Sequence, residues 1–182
     1  MVREAKLKDA QAIQNLICFY SEDGKMLFRR FEEIEQCIAD FLVYEKNNEI
    51  VGISSLKFGW DRLVEIRSLG VDPRYHRQGI ATQMIRFSVE RALLRDNCDT
   101  MFVLTYAVPL FNKFGFEIVD KIQLPQKVWN DCQACLHKDN CDETAMSLSL
   151  LSLKKMQQKE LSLKKSNLIE RYQKNSIFLR QT

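Results

Sequence analysis

The sequence predicts one α/β (α+β) domain with one long crossover helix, followed by a C-terminal extension. Three observations predict it. Apolar residues recur at helical spacing in some segments and form strand-like runs in others, and the two kinds of segment are interspersed along residues 2–150. The chain has 182 residues, 46% of them hydrophobic, which is enough for one buried core. Only 6 glycines and 3 prolines are present, so each one marks an element boundary more clearly.

The first half of the chain predicts a strand, two helices and a hairpin. In the first helix, Asp9 is a candidate cap and the apolar residues recur every three or four positions up to Tyr20. An Asn47-Asn48 turn joins the two hairpin strands. In chain order, these elements are expected at residues 2–6, 9–20, 31–41, 41–44 and 50–56.

The second half predicts strands that alternate with two helices. Pro73 ends a strand because proline lacks the ladder donor, and Gly79 opens a long helix that stops at Asp96-Asn97. Pro109 starts a short helix that Gly115 caps at its C-terminus. The strands are expected at residues 63–71, 101–104, 116–119 and 144–150.

The charge of the chain is concentrated at one end. Residues 147–182 hold eight Lys or Arg and two Asp or Glu, whereas the whole chain has a net charge of +3. The remaining body is therefore slightly acidic, and it has no basic stripe with interleaved aromatic residues, so no nucleic-acid partner is expected. No run of about 18 apolar residues and no apolar signal core occur, so we expect a cytoplasmic protein without a membrane partner.

Residues 69–81 carry most of the chemical information: Leu-Gly-Val-Asp-Pro-Arg-Tyr-His-Arg-Gln-Gly-Ile-Ala. The first backbone N–H groups of a helix lack intrahelical acceptors, and the helix dipole favours an anion beside them. Gly79, at the helix start, lets the backbone approach a phosphate closely, while Arg74, His76 and Arg77 add charge. The pattern predicts a pyrophosphate site. The alternative is a basic strand-to-helix turn that binds nothing.

The same segment resembles motif A of the GNAT acetyltransferases, Arg/Gln-x-x-Gly-x-Gly/Ala, which holds the acetyl-CoA pyrophosphate. Gly79 and Ala81 match its last two fixed positions, whereas the first position is His76. Residues 111–116, Phe-Asn-Lys-Phe-Gly-Phe, are similar to a later helix-to-strand segment of the family. The resemblance implies the GNAT fold, a mixed, mostly antiparallel, twisted sheet flanked by helices, with acetyl-CoA as cosubstrate. It assigns cofactor contacts to Leu69, Gly70, Val71, His76, Arg77, Gln78, Gly79, Ile80, Ala81, Thr82 and Phe111.

Further segments resemble the short-form bacterial N-acetylglutamate synthases: residues 22–27, 65–69, 104–106, 124–129 and 131–143. This likeness covers residues 1–146 and predicts an N-acetyltransferase domain there, with the final strand and a basic extension in residues 147–182. It implies transfer of an acetyl group from acetyl-CoA to the α-amine of glutamate, the first step of arginine biosynthesis. A homodimer is compatible with it.

Strand alternation places Glu65, Arg67 and Leu69 on one face, so a carboxylate and a guanidinium can act together. Glu65 matches the position of the GNAT general base, which takes a proton from the substrate ammonium directly or through water. Arg67 is a candidate for binding a substrate carboxylate through two parallel hydrogen bonds. The alternative is a structural Glu65–Arg67 ion pair. A second cation for the acceptor is expected from Lys25, Arg29, Arg30 or Lys127, each of which also suits an ordinary surface position.

Two groups are expected to act on the thioester. The resemblance implies that backbone N–H groups of Leu69 to Val71 bind the pantetheine arm and the carbonyl oxygen where the strands open. Gly70 is consistent with a bulge there, or with close packing of a helix. The tyrosine that often protonates the leaving thiolate in this family is replaced by Phe111. Tyr106 is the nearest tyrosine, and water is the alternative acid.

Cys132, Cys135 and Cys141 lie close together, with His137 between them. Four such ligands within ten residues suit a structural zinc ion, and packed or free thiols are the alternative. Other functions also stay open at this point. They are acetylation of another small amine or a protein N-terminus, and a non-catalytic CoA-binding sensory module. The basic extension suits a solvated or self-packed segment, or a helix that contacts a membrane surface or a partner.

Overall fold

The sheet has seven strands among the residues that the structure describes, in the order β1-β2-β3-β4-β5-β7-β6. The structure is a computed structural model that describes residues 1–59, 62–124 and 140–178, with residues 166–178 described by their backbone alone. The strands are β1 (Val2–Glu4), β2 (Phe41–Lys46), β3 (Glu49–Phe58), β4 (Leu63–Val71), β5 (Thr100–Thr105), β6 (Glu117–Ile118) and β7 (Thr144–Ser149).

Five α-helices accompany the sheet in the described ranges. They are α1 (Ala10–Glu22), α2 (Phe31–Gln36), α3 (Ile80–Leu93), α4 (Val108–Asn112) and α5 (Leu150–Phe178). No helix within these ranges combines the length and the apolar character that a bilayer span requires. The α/β class and the mixed, mostly antiparallel sheet with flanking helices are thereby confirmed.

The parallel pair of β4 and β5 shapes the site. All other neighbouring strands in the sheet run antiparallel. The pairing of β4 with β5 covers only Leu63 to Glu65, opposite Thr100 to Phe102. Beyond Glu65 the two strands have no further paired residues, so backbone groups on the facing edges of β4 and β5 are left for other partners.

A β-bulge lies in β4 between Arg67 and Gly70. Ile53 pairs with Gly70 and Ser55 with Arg67, so three steps along β4 oppose two along β3. Ser68 in the bulge has φ +49°, a left-handed conformation that is uncommon outside glycine. The bulge reverses the alternation: Ile66 and Leu69 both pack against the core beside α3. The expectation that Leu69 shares a face with Glu65 and Arg67 is therefore wrong.

The sheet has a core on each face. The larger core lies beside α3, where Met84 and Ile85 of that helix pack with β4 residues such as Ile66. The second core lies beneath α1 and α2, where Ile13 and Ile34 pack with residues of β2 and β3. Helices thus pack on both faces of the sheet around β3 and β4, and this packing fixes the backbone of the candidate site.

Some element boundaries differ from the predicted ones. Helix α2 stops at Gln36, and a 3₁₀ turn, Ile38–Asp40, replaces its last part. Strand β7 pairs with β5 along its whole length and also with β6, so it lies between these two strands and is not an edge strand. The final strand is therefore part of the folded domain rather than of the extension. The extension itself is the long helix α5.

Candidate active site

The start of α3 forms a cradle of backbone N–H groups. Gly79 is the N-cap with φ +77°, and Arg77 is also left-handed with φ +62°. The first intrahelical bond runs from the N–H of Gln83 to the oxygen of Gly79. The N–H groups of Ile80, Ala81 and Thr82 precede that bond, so they lack intrahelical acceptors. A Cβ atom built on Gly79 would have no atom within 4 Å, which leaves open space for an anion.

The side chain of His76 does not join this cradle. Its Nε2 atom lies 2.8 Å from the carbonyl oxygen of Val71 and 3.0 Å from the hydroxyl of Tyr20. Arg74 is turned away as well: it donates hydrogen bonds to Asp72, including one of 2.7 Å, and this contact lowers the pKa of Asp72. Of the cations expected here, Arg77 is the one that is exposed and has neither a side-chain hydrogen bond nor an ion pair in the described part of the chain.

Residues Leu69 to Val71 lie on β4 beyond its last residue paired with β5, and their contact with the cofactor arm stays a prediction. Gly70 is also closely packed: a Cβ atom there would lie 2.9 Å from the ring of Tyr20 on α1. Both features expected for Gly70, a bulge and close packing of a helix, are therefore found near it. The bulge precedes it, and the helix packs directly upon it.

Glu65 and Arg67 contact each other directly. The Nε atom of Arg67 lies 2.5 Å from Oε2 of Glu65, and both side chains are about nine-tenths buried. They share a face with Ser55 and Lys57, because Ser55 pairs with Arg67 and Lys57 with Glu65 across β3 and β4. A carboxylate and two cations therefore occupy one small region of the sheet.

A cleft of about 590 Å³ opens on this face. Arg67, Lys57 and Arg29 line it, so it contains three basic side chains. Glu65 does not line the cleft itself, but its carboxylate contacts the Arg67 guanidinium that does. The remaining lining residues come from the loop before α2, from α2 and the turn after it, and from β2 and β3: Leu27, Phe28, Glu33, Gln36, Cys37, Asp40, Phe41 and Ser55.

Residues 8–116 match the model of the Acetyltransferase (GNAT) family, which is more than half of the chain. The chain belongs to the GNAT acetyltransferase family. It is 35% identical to an uncharacterized N-acetyltransferase of Chlorobaculum tepidum, over 82% of this chain and 96% of that protein. It is 28% identical to the amino-acid acetyltransferase of Mycobacterium tuberculosis, over 72% and 76% of the two chains. The amino-acid acetyltransferase of Aeromonas salmonicida is longer, and the chain covers 30% of it at 29% identity.

Solved GNAT structures share the fold. The N-acetylglutamate synthase of Neisseria gonorrhoeae, complexed with coenzyme A and N-acetyl-glutamate, superposes with a TM-score of 0.74 at 22% identity, over 82% of this chain and 35% of that one. A Mycobacterium tuberculosis protein in complex with CoA superposes with a TM-score of 0.70 at 25% identity, over 82% and 98%. The GNAT fold predicted from the sequence is thereby confirmed.

Lys57 is the site residue that the GNAT resemblance did not suggest. It is half-buried in the cleft, directly opposite Glu65 on the neighbouring strand. The hairpin register of β3 and β4 was the signal that could have found it. Lys25, by contrast, is not brought into the cleft: it is exposed and forms an ion pair with Asp23 at 2.9 Å.

Tyr106 follows β5 on the side where β4 and β5 separate. Its hydroxyl donates a 2.7 Å hydrogen bond to Asp142, and that bond, together with burial, raises the pKa of Tyr106. A phenol with a raised pKa releases its proton less readily, and this one already donates its proton to Asp142, so the choice between Tyr106 and water as the acid for the thiolate stays open. The side chain of Phe111 is buried and packs edge to face on Phe116. A contact of Phe111 with the GNAT cosubstrate stays a prediction.

The predicted zinc site cannot be located among the described residues. Cys132, Cys135, His137 and the acceptor candidate Lys127 lie outside them, whereas Cys141 is a free, half-buried thiol. Within the described ranges, no cluster of three or more metal-ligating side chains occurs. The structure therefore gives no support to zinc, and its presence stays a prediction.

Proposed function

We propose that this protein transfers the acetyl group of acetyl-CoA directly to the α-amine of glutamate. The observation that carries the proposal is the Glu65–Arg67 contact at the wall of a cleft that Arg29 and Lys57 also line. An α-amino acid carries its amine and its carboxylate on one carbon, so a proton acceptor beside a guanidinium suits it. The two further cations suit the second carboxylate that glutamate brings.

The start of α3 and the edge of β4 that faces β5 suit acetyl-CoA as a ligand. The N–H groups at the start of α3 and the exposed Arg77 suit its pyrophosphate, and the space beside Gly79 is open. The edge of β4 beyond Glu65 is not paired with β5, so its backbone suits the amides of the pantetheine arm. The thioester would then reach β4 close to Glu65, where the acceptor cleft lies.

The proposed reaction is a direct transfer. Glu65 takes a proton from the substrate ammonium, directly or through a water molecule, and leaves a lone pair on nitrogen. The nitrogen attacks the thioester carbonyl carbon, and backbone N–H groups of β4 stabilise the oxyanion that forms. The carbon–sulfur bond then breaks, and the proton that the new amide nitrogen releases passes through water or Tyr106 to the CoA thiolate.

The relatives support this choice of acceptor. Several of the similar proteins are named amino-acid acetyltransferases. One structure with the same fold is an N-acetylglutamate synthase complexed with coenzyme A and N-acetyl-glutamate. The step in arginine biosynthesis and a cytoplasmic location are part of the same proposal. The free thiols of Cys18, Cys37, Cys98 and Cys141 suit a reducing compartment.

Three acceptors test which residue binds which carboxylate. Glutamine lacks the side-chain carboxylate of glutamate, and isoglutamine lacks the α-carboxylate. We expect Arg67→Ala to lower kcat/KM about 30-fold or more for glutamate and for glutamine, because it leaves a carboxylate unpaired in a partly desolvated cleft. Isoglutamine should lose much less. Arg67→Lys should recover only part of the activity, since an ammonium cannot make the two parallel bonds.

Lys57→Met and Arg29→Gln should show the opposite selectivity. Both variants should impair glutamate and isoglutamine and spare glutamine, because glutamine has no side-chain carboxylate. Steady-state kinetics with CoA thiol release as the readout measures all of these ratios. Equal losses for all three acceptors in the Arg67 variant would mean that Arg67 only supports Glu65, and the assignment of glutamate would then fail.

A further inference from the structure

A three-way contact joins α1, the end of β4 and the loop before α3. The hydroxyl of Tyr20 on α1 donates a 2.5 Å hydrogen bond to the carbonyl oxygen of Val71, the last residue of β4. Nε2 of His76 lies 2.8 Å from the same oxygen and 3.0 Å from the Tyr20 hydroxyl. One carbonyl oxygen is thus held from two elements that are far apart in the sequence.

The packing around this contact leaves Tyr20 little freedom. Its ring lies so close to Gly70 that a Cβ atom there would approach it to 2.9 Å. Burial raises the pKa of Tyr20, so the phenol stays protonated and remains a donor at neutral pH. The hydroxyl is therefore positioned by ring packing and available for the Val71 oxygen.

We propose that Tyr20 and His76 are positioning residues, which together fix the Val71 carbonyl and so hold the end of β4 and the loop before α3 in the geometry that acetyl-CoA requires. His76 occupies the motif position whose side chain was expected to contact phosphate, but here its imidazole supports the backbone at Val71. This inference rests on the proposed placement of acetyl-CoA along β4 and at Gly79. It concerns how that site is held, and it adds no group to the reaction.

The contact of Tyr20 and His76 with the Val71 carbonyl explains how the N–H groups at the start of α3 can be positioned although the His76 side chain does not face them. Val71 is followed by Asp72, whose N–H donates to Val51, and by the 3₁₀ turn Pro73–Tyr75. Only three residues separate that turn from Gly79. Fixing both Val71 and His76 therefore anchors the loop at its start and near its end, which restricts the left-handed residues Arg77 and Gly79 that follow.

A double-mutant cycle tests the proposal. Tyr20→Phe keeps the ring over Gly70 and removes only the hydroxyl, and His76→Ala removes the imidazole. We expect each variant to weaken acetyl-CoA binding about three- to tenfold, as measured by calorimetry. The double variant should lose less than the product of the two single losses, because each substitution breaks the shared Tyr20–His76 contact as well as its own contact with the Val71 oxygen. The KM for acetyl-CoA should rise while kcat at saturation and the KM for glutamate stay near wild type.

Two controls make the test decisive. Tyr75→Phe removes a phenol from the same loop, where it donates to Glu49 at 3.0 Å, and it should leave the acetyl-CoA affinity unchanged. Arg77→Ala should weaken the dependence of the acetyl-CoA affinity on salt, since it removes a charge. His76→Ala should keep the wild-type salt dependence.

Independent, multiplicative losses in the two single variants, or a reduced salt dependence in His76→Ala, would overturn the proposal. The first result would mean that the residues do not act through one contact, and the second that His76 binds phosphate. A failure of the proposed function looks different. In that case the wild-type protein itself would fail to bind acetyl-CoA, or would bind it without acetylating glutamate.

Discussion

Glu65 and Arg67 are two residues apart on β4, and their contact shows where the alternation of side chains along a strand predicts a shared face correctly. The period of two correctly places them on one face, because the strand is regular up to Arg67. It fails at Leu69, since Ser68 takes a left-handed conformation and shifts the phase. A serine in that conformation has no distinctive sequence signal, whereas a glycine would have had one. The carboxylate and its guanidinium partner could be predicted, and the bulge beside them could not.

The proposed role of Glu65 as a base leads to a prediction on rate and pH. Glu65→Gln keeps the side-chain volume but cannot accept a proton, so turnover with glutamate should fall about 10²–10⁴-fold. The acetyl-CoA affinity, measured by calorimetry, should stay close to wild type. Asp40→Asn, which removes another carboxylate of the same cleft, is the matched control and should change turnover far less. Wild-type rates across pH in the Glu65 variant would exclude it as the base.

At the scale of the elements, the most informative segment is the turn from β4 to α3. The glycine at the helix start, the proline after the strand and the apolar stripe of α3 are all visible in the sequence, and the structure has each of them in place. The sequence did not predict which groups the basic side chains of this turn would contact. Arg74 pairs with Asp72, and His76 turns to Val71, because nearby acceptors compete for these groups.

Gly79 provides the test of the cradle. Gly79→Ala should lower the affinity for acetyl-CoA at least tenfold, because a methyl group would fill the open space beside the N–H groups. Gly115 is the matched control: its φ is +81°, so alanine brings similar backbone strain there, and its Cβ would have only an ordinary contact with Leu148. Gly115→Ala should lose stability without a comparable loss of affinity. Equal acetyl-CoA affinities for both variants, measured by calorimetry, would exclude the N–H groups beside Gly79 as the pyrophosphate site.

The junction between β1 and α1 gives a prediction on pH and stability. Asp9 is buried; it accepts hydrogen bonds from Arg3 at 2.7 and 3.0 Å and from the N–H of Lys6 at 2.8 Å. The expected cap is therefore present, but it closes the turn before α1 rather than the first turn of α1. The Arg3 contact lowers the pKa of Asp9, so this stabilisation is complete above the ordinary carboxyl pKa near 4 and is lost as the pH falls through the lowered value.

Asp9→Asn should therefore lower the free energy of unfolding at pH 7 by about 2 kcal/mol, the range for a hydrogen bond to a charged group. The difference between wild type and variant should shrink below pH 4. Urea denaturation at pH 7 and at pH 3 measures both effects. Asp23→Asn is the control, because Asp23 is exposed in its pair with Lys25 and should matter little at either pH. A constant difference between the two pH values would contradict this explanation.

For the molecule as a whole, the order of elements was predictable, because each strand and helix of the body has its own hydrophobic period. The long helix α5 was not, since its apolar residues follow no single face and most of its described side chains are exposed. The cleft was predictable only in part, because Arg67 and Arg29 were candidates in the sequence whereas Lys57 was not. Its cations, Arg29, Lys57 and Arg67, come from three segments that only the folded sheet brings together.

We propose that these three cations and Glu65 make the protein an acetyltransferase for glutamate. The most direct test offers the wild-type protein all twenty amino acids with acetyl-CoA and follows the release of CoA thiol. We expect the highest kcat/KM for glutamate, with glutamine and aspartate well below it, and N-acetylglutamate as the product. No thiol release with any amino acid, or a preference for neutral or basic ones, would contradict it.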